Sequence, residues 1–453
     1  MKSILIAVLG MFFLKNSIAQ TPNKISTSAA LSDIEKLVTT FDEVHYNPYF
    51  KTSKEAFDST KNKLLGEWIS DSITLKEFMV IGMKLTAILS GGHSQMDWQN
   101  PGIIPEMKVH YYLPFTGKLN AKNQFIVTKS TIEEIQEGTE IQAINNIPIA
   151  KLYQECMSYI GGIEAFKNAT CEKLFPLYLF FNNTIKPPYT IQISNSDKDL
   201  KTNGIDLGVL INFINASQKQ QDYTFEIIDR KVGLISYNAC NDYDQFDLFL
   251  TQTFKTIAEN HIDKLIIDIR QNGGGNSELN DLLLSYITTT PYRQSSGRYW
   301  KVSELSKQVY ASDPIYAEVF GEEFINEYIL EPNQSVIFDT AETGLITPQN
   351  KSYSFTGKTC MLIGPNTFSS ANFLADAVKT YHLTTLIGKP TGEYTNDFGE
   401  QMQFQLPNSK SYVFISSTYD IGANGDETVL EPVYPDIEVD TDALQFALEW
   451  INQ

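Results

Sequence analysis

Residues 360–393 read CMLIGPNTFSSANFLADAVKTYHLTTLIGKPTGE. The apolar run at Cys360 predicts a buried strand. It passes through a short loop into two serines, then an amphipathic helix, then a second strand at Leu386. Ser369 and Ser370 therefore stand where a strand hands over to a helix N-terminus. Backbone N–H groups there lack intrahelical acceptors and can face an anion. Nucleophilic serines are commonly mounted on such a turn. A serine is equally at home there as a plain helix N-cap, so this stretch alone leaves both readings open.

The same theme occurs upstream. FEIIDRKVGLISY (225–237) predicts a hairpin, and Phe246, Phe249, Leu250, Phe254 and Ile257 mark an amphipathic helix. KLIIDI (264–269) is a fully apolar strand leading into Arg270-Gln271-Asn272-Gly273-Gly274-Gly275, followed by a helix carrying Leu279, Leu282, Leu283 and Tyr286. Repeated strand–loop–helix units predict an α/β core over 216–453. In parallel sheets functional groups collect at the carboxyl ends of strands, which sets the NGGG and NTFSS loops along one sheet edge. The glycine run supplies unhindered N–H groups of the kind an oxyanion needs. A tight turn is the plain alternative. A phosphate loop is disfavoured, because no GK[ST] follows and the chain is acidic.

The first part of the chain differs. Leu31, Ile34, Leu37, Val38 and Phe41 recur at helical spacing, a second helix carries Phe57, Leu64, Leu65 and Trp68, and a third opens on the capping-box pattern Thr74-Leu75-Lys76-Glu77. Gly91-Gly92 ends that helix and leaves His93 on a loop. Residues 20–104 form a helical domain on this reading. Residues 105–215 turn to short alternating strands such as YYLPF (111–115) and QFIVT (124–128). Within them EGTEIQAINNIPIAKLYQECMSYI (137–160) gives a glycine turn, a strand, an Asn-Asn turn and a helix, an order that resembles half of a PDZ domain. No elements are assigned within the aromatic-rich segment 292–345.

Residues 1–19, MKSILIAVLGMFFLKNSIA, carry a lysine, an apolar run and a small-residue end at Ala19, which predicts a secretory signal peptide. The run is interrupted at Lys15-Asn16, short of the ~20 residues a membrane span needs. The mature chain is expected to lack a transmembrane span and to be exported to a periplasm or the extracellular space. The full chain of 453 residues has a formal net charge of −19, and loss of Lys2 and Lys15 would make the mature chain more acidic still, which disfavours nucleic acid and anionic membranes as partners. Cys240 and Cys360 lie in apolar runs and read as buried thiols. Cys156 and Cys171 are a candidate disulfide in an oxidising compartment. No CxxC or HExxH spacing suggests a metal, and no cofactor is expected.

A serine hydroxyl needs a base and oxyanion donors to act as a nucleophile. Of the five histidines (His45, His93, His110, His261 and His382), His93 is best placed, on its glycine-flanked loop. Taken in order, VHYNPYF (44–50), LSGGHSQ (89–95), the PDZ-like stretch, KLIIDIRQNGGG (264–275), GPNTFSSANFLADAV (364–378), LIGKPTGE (386–393) and EPVYPDIEV (431–439) resemble the tail-specific, C-terminal-processing serine peptidase family. That family includes the tricorn core and the repeats of interphotoreceptor retinoid-binding protein. The resemblance covers nearly all of the mature chain and implies a ClpP/crotonase-like α/β core with an N-terminal helical domain and a PDZ-like insert.

It further implies that Ser369 is the nucleophile, with the Ser370 N–H and one from Gly273 or Gly274 as the oxyanion hole. Asn372 stands where the family motif has an acid. The lysine base of one branch is missing: TGEYTNDFGEQMQ (391–403) has Tyr394 at its position, and Lys389 reads as a solvated charge. LSGGHSQ fits the other branch, which makes His93 the expected general base. Its supporting acid is expected at Glu427, with Glu431 and Glu393 as alternatives. The implied activity is that of an exported serine endopeptidase working through an acyl-enzyme on protein or peptide substrates. The PDZ-like region would recognise a peptide C-terminus. The alternative is an inactive binding protein on the same scaffold, holding peptides or apolar ligands.

Overall fold

The computed structural model describes residues 23–453 except 90, 197, 216–220, 230, 341–343 and 350. The signal-peptide expectation for residues 1–19 lies outside the described residues. The chain divides into two compact units. One holds the described parts of Gln220–Met402 and Ser416–Gln453, and the other those of Leu14–Lys219 and Gln403–Ile415.

The first unit is built on a six-stranded sheet. Tyr223–Asp229 (β1) and Val232–Tyr237 (β2) form the expected antiparallel hairpin. Lys264–Asp268 (β3), Lys358–Ile363 (β4), Thr385–Gly388 (β5) and Ile437–Glu438 (β6) continue the sheet in parallel. Successive side chains of a strand point to opposite faces, and here both faces are covered. Leu265, Ile267, Met361, Ile363 and Leu386 pack on one side against helices Tyr243–Glu259 (α1), Glu278–Ile287 (α2) and Ser370–Tyr381 (α3), through Phe246, Leu250, Phe254, Leu283, Leu374 and Val378. Ile266, Cys360, Leu362 and Ile387 meet Ala443, Ala447 and Ile451 of helix Ala443–Ile451 (α4) on the other. Two-sided burial is why these strands read as unbroken apolar runs and not as alternating ones.

The aromatic-rich segment forms a separate three-stranded antiparallel sheet, with Gly297–Lys301 between Val336–Asp339 and Thr418–Ile421. Three short helices, Glu304–Ser312, Ile315–Phe320 and Glu322–Leu330, set the rings of Tyr310, Phe320 and Tyr328 around buried Trp300, with centroids 6.4, 5.0 and 6.3 Å away. One strand of this sheet comes from more than a hundred residues downstream, so no local pattern announces it.

The second unit begins with helices Thr27–Val44, Lys54–Leu65 and Leu75–Leu89, as the spacing predicts. The capping box is reciprocal: the Glu77 N–H donates to Thr74 Oγ1 at 3.1 Å, and the Thr74 N–H to Glu77 Oε2 at 2.8 Å. Strands Phe115–Leu119, Phe125–Ser130, Glu140–Ile144, Tyr189–Ile193 and Leu200–Thr202 follow as an antiparallel sheet in that order. Asn145 and Asn146 both have positive φ (49° and 64°), the backbone of a two-residue hairpin turn.

Two expectations for this region change. YYLPF contributes only Phe115 to a strand, because Pro114 has no N–H to offer a ladder. Glu164–Leu179 is a helix, apolar all round at its C-terminal end, where Phe175, Pro176, Leu177, Tyr178 and Leu179 are all buried. Such a helix shows no periodicity to read. Cys156 and Cys171, the candidate disulfide, are both free and buried, and the Cys171 thiol donates to the Tyr153 carbonyl at 3.9 Å. Among the described residues no helix is long and apolar enough to cross a membrane.

Residues 403–415 return to this unit. Strand Tyr412–Ser416 pairs antiparallel with Gln95–Met96, Val413 lying opposite Met96. Asp33, wholly buried on the first helix, holds the returning loop by accepting from the Asn408 N–H at 3.1 Å, Asn408 Nδ2 at 2.8 Å and the Ser409 N–H at 2.7 Å. Asp33→Ala strands these donors and is expected to destabilise the unit by about 3 kcal/mol. Urea denaturation followed by the fluorescence of Trp68 and Trp98 measures it.

Candidate active site

Strand β4 ends at Ile363, and the loop after it is stitched to the loop after β3. Thr367 Oγ1 accepts from the Gly364 N–H at 3.0 Å and donates to the Ile269 carbonyl at 2.9 Å, while the Phe368 N–H donates to the Asn272 carbonyl at 3.0 Å. Ser369 comes next, at φ 55° and ψ −127°. That backbone is disfavoured for any residue with a Cβ and costs about 1–3 kcal/mol unless its surroundings enforce it. Helix α3 starts at Ser370.

The plain N-cap reading of the two serines is not realised. Ser369 makes no side-chain capping bond, and the Ser370 hydroxyl donates to the Gly275 carbonyl. The glycine run packs directly on the turn. Gly274 has φ +98°, and a Cβ there would lie 2.7 Å from Ser369 Cβ and 2.9 Å from Ser370 N, so this position admits only glycine. Asn280 braces the pair from α2, its Nδ2 donating to the Ser370 carbonyl at 2.8 Å.

The donors around Ser369 separate clearly. The Ala371 N–H is taken by the Phe368 carbonyl, and the N–H groups of Asn372 and Phe373 by the Ser369 carbonyl. The Gly274 N–H goes to Asn272 Oδ1 at 2.9 Å. The N–H groups of Ser370 and Gly273 carry no such bond among the described residues, and Gly273 is exposed. Of the two glycines that the resemblance offered as donors, Gly273 is the one whose N–H makes no hydrogen bond among the described residues.

The carboxylates are distributed as follows. Glu393, buried, accepts the Ser369 N–H at 2.6 Å. Glu427 is exposed and accepts from the Tyr299 hydroxyl at 3.0 Å. Glu431 is also exposed, and its backbone carbonyl accepts the Thr395 N–H at 2.9 Å. Of the three, Glu393 touches the serine turn. Lys389 is ion-paired to Glu438 at 3.2 Å and to Asp440 at the sheet edge. His93 belongs to the other unit, buried on the turn between Leu75–Leu89 and Gln95–Met96.

Sequence reading missed Asp376. It lies one turn after Asn372 on the buried side of α3, where Oδ2 accepts the Ala423 N–H at 2.6 Å. Gly422 passes so close that a Cβ there would be 2.6 Å from that oxygen. Burial pushes the Asp376 carboxyl up from its ordinary 3.8 to about 6.

Residues 231–439 match peptidase family S41. This segment is an S41 peptidase domain. Its family makes the protein a serine-type peptidase, a hydrolase with protein or peptide substrates. No curated protein matches the sequence. Among solved structures the chain is similar to mature CPAF complexed with lactacystin (TM-score 0.66, 14% identity, 94% of this chain and 97% of that one) and to mature CPAF (0.65, 14%, 94% and 96%). A photosystem II D1 C-terminal processing protease matches at TM-score 0.43 and 13% identity over 93% and 96% of the two chains. At such identities the CPAF structures speak for the fold of the chain, and the S41 domain contains every loop of the serine site described above.

Two outcomes follow for the S41 domain. Gly274→Ala is expected to lower kcat/KM by about 100-fold or more through displacement of the Ser369–Ser370 turn that packs against it, read in a peptide cleavage assay. For Asp376 the fold favours the protonated form, so the native state holds a proton that the unfolded chain releases. Stability therefore falls as pH rises from about 4 to about 6. Asp376→Asn keeps an acceptor for the Ala423 N–H and is expected to lose that dependence, roughly 2–3 kcal/mol across the window, in unfolding curves taken at a series of pH values.

Proposed function

We propose that the protein is an exported serine endopeptidase that works through an acyl-enzyme. Ser369 Oγ attacks the carbonyl carbon of the scissile peptide bond while His93 takes the hydroxyl proton. The tetrahedral oxyanion is held by the N–H groups of Ser370 and Gly273. His93 returns the proton to the leaving amine as the C–N bond breaks. Water, deprotonated in turn by His93, then hydrolyses the ester and frees Ser369.

The observation that carries this reading is the Ser369 turn itself: a serine held at positive φ, excluded from helix capping, and flanked by two N–H groups without an acceptor among the described residues. A binder of peptides or apolar ligands has no need of a strained serine, so the catalytic reading is preferred to the inactive one. His93 as base rests on its glycine-flanked position. His110 is a poor rival, because burial and the nearby Lys76 charge push its pKa down to about 4. The β-rich part of the second unit is the proposed site for capturing a substrate C-terminus by strand addition.

Ser369→Ala is expected to abolish labelling by a fluorophosphonate probe and to lower kcat on an unfolded protein substrate by about a million-fold, with His93→Ala losing about as much. Labelling that persists in Ser369→Ala overturns the nucleophile, and cleavage by His93→Ala at the wild-type rate removes His93 from the mechanism.

A further inference from the structure

Asn372 departs from the acidic residue of the family motif, and its surroundings give it a task of its own. Its Nδ2 donates to the Tyr394 carbonyl at 2.7 Å. The two residues before Tyr394 also bond to the serine turn: the Gly392 N–H donates to the Thr367 carbonyl at 3.1 Å, and Glu393 Oε2 accepts the Ser369 N–H at 2.6 Å. Three consecutive residues thus grip the turn before, at and after Ser369. Asn372 is 1% exposed and Glu393 4%, so these bonds are shielded from competing water.

The gripping segment is itself fixed. The Thr391 N–H donates to the Val433 carbonyl at 3.1 Å, the Val433 N–H to Thr391 Oγ1 at 3.0 Å, and the Thr395 N–H to the Glu431 carbonyl at 2.9 Å, with Tyr394 bridged antiparallel to Pro432. A segment anchored on both sides in this way can hold a neighbouring backbone in a conformation it would otherwise leave.

We propose that residues 391–394 are a clamp on the nucleophile turn, in which Glu393 and Asn372 are positioning residues that keep Ser369 in its attacking conformation. This inference rests on Ser369 being the nucleophile. The carboxylate of Glu393 supplies the acceptor that the Ser369 N–H requires at positive φ. Asn372 supplies the donor that the Tyr394 carbonyl requires. An ionised acid at 372 has no hydrogen to give and would set its charge against that carbonyl, opening the clamp. The asparagine is therefore matched to this chain's own loop and is no sign of decay.

The test is the kinetics of fluorophosphonate labelling of the full mature chain, resolving the maximal rate from the probe's half-saturating concentration, with thermal melting of each variant alongside. Glu393→Gln keeps an acceptor and is expected to label within about threefold of wild type. Glu393→Ala is expected to lose about 10- to 100-fold in maximal rate with unchanged half-saturation. Asn372→Asp is expected to label slowly at pH 8 and to gain on wild type as pH falls, because a protonated aspartic acid can again donate to Tyr394. Labelling of Glu393→Ala at the wild-type rate overturns the clamp, as does Glu393→Gln labelling as slowly as the alanine variant. Should Glu393→Ala not fold, the Asn372→Asp to wild-type ratio decides, and a ratio that does not change with pH overturns the clamp. Ser369→Ala, labelled in parallel, separates the two claims: labelling that persists there sinks the nucleophile assignment whatever happens at position 393.

Discussion

A serine at φ 55° and ψ −127° is a constraint that the rest of the site exists to satisfy. Left to itself, a residue with a Cβ would relax into an extended cap conformation and swing its hydroxyl toward the helix's own N–H groups. The structure prevents this from three directions. Gly274 occupies the space behind the turn, Asn280 holds the Ser370 carbonyl, and Glu393 holds the Ser369 N–H. Strain of this kind persists only where the surroundings over-determine it.

Those surroundings in turn need the two-sided sheet. The loops after β3 and β4 lie side by side because their strands pair in parallel, Ile267 opposite Met361. The Phe368 N–H to Asn272 carbonyl bond then closes the gap between them. Helix α3 reaches the sheet through Leu374 and Val378 on the same face as α1 and α2. The serine turn is thus positioned by apolar packing and finished by a handful of short-range hydrogen bonds.

Much of this was legible in the sequence, where the determinants are local. The apolar runs of β3 and β4, the capping box at Thr74–Glu77 and the serine turn each carry their own pattern. Gly273 and Gly274 could be singled out, but not told apart, since the distinction is made by the Asn272 side chain folding back onto one N–H. Glu393 could be named among the candidate acids, but its bond to the Ser369 N–H could not be read, because position along the chain says little about which carboxylate reaches a given N–H. Asp376 was invisible for a similar reason: an acid inside an amphipathic helix reads as surface until Ala423 and Gly422 close over it. The sheet around Trp300 depends on a partner strand too distant for any window to register.

The return of Gln403–Ile415 to the unit that carries His93 has a bearing on the birth of the protein. At ~5–20 residues per second of synthesis, the strand that covers Gln95–Met96 emerges roughly 15 to 60 seconds after its partner. Until then Asp33 has no loop to hold and the Gln95–Met96 edge lacks the neighbour it has in the finished fold. The unit bearing the proposed base is therefore completed only after the serine turn and its helix have left the ribosome. A nascent chain, or one truncated before residue 403, carries the proposed nucleophile without a finished mount for the proposed base.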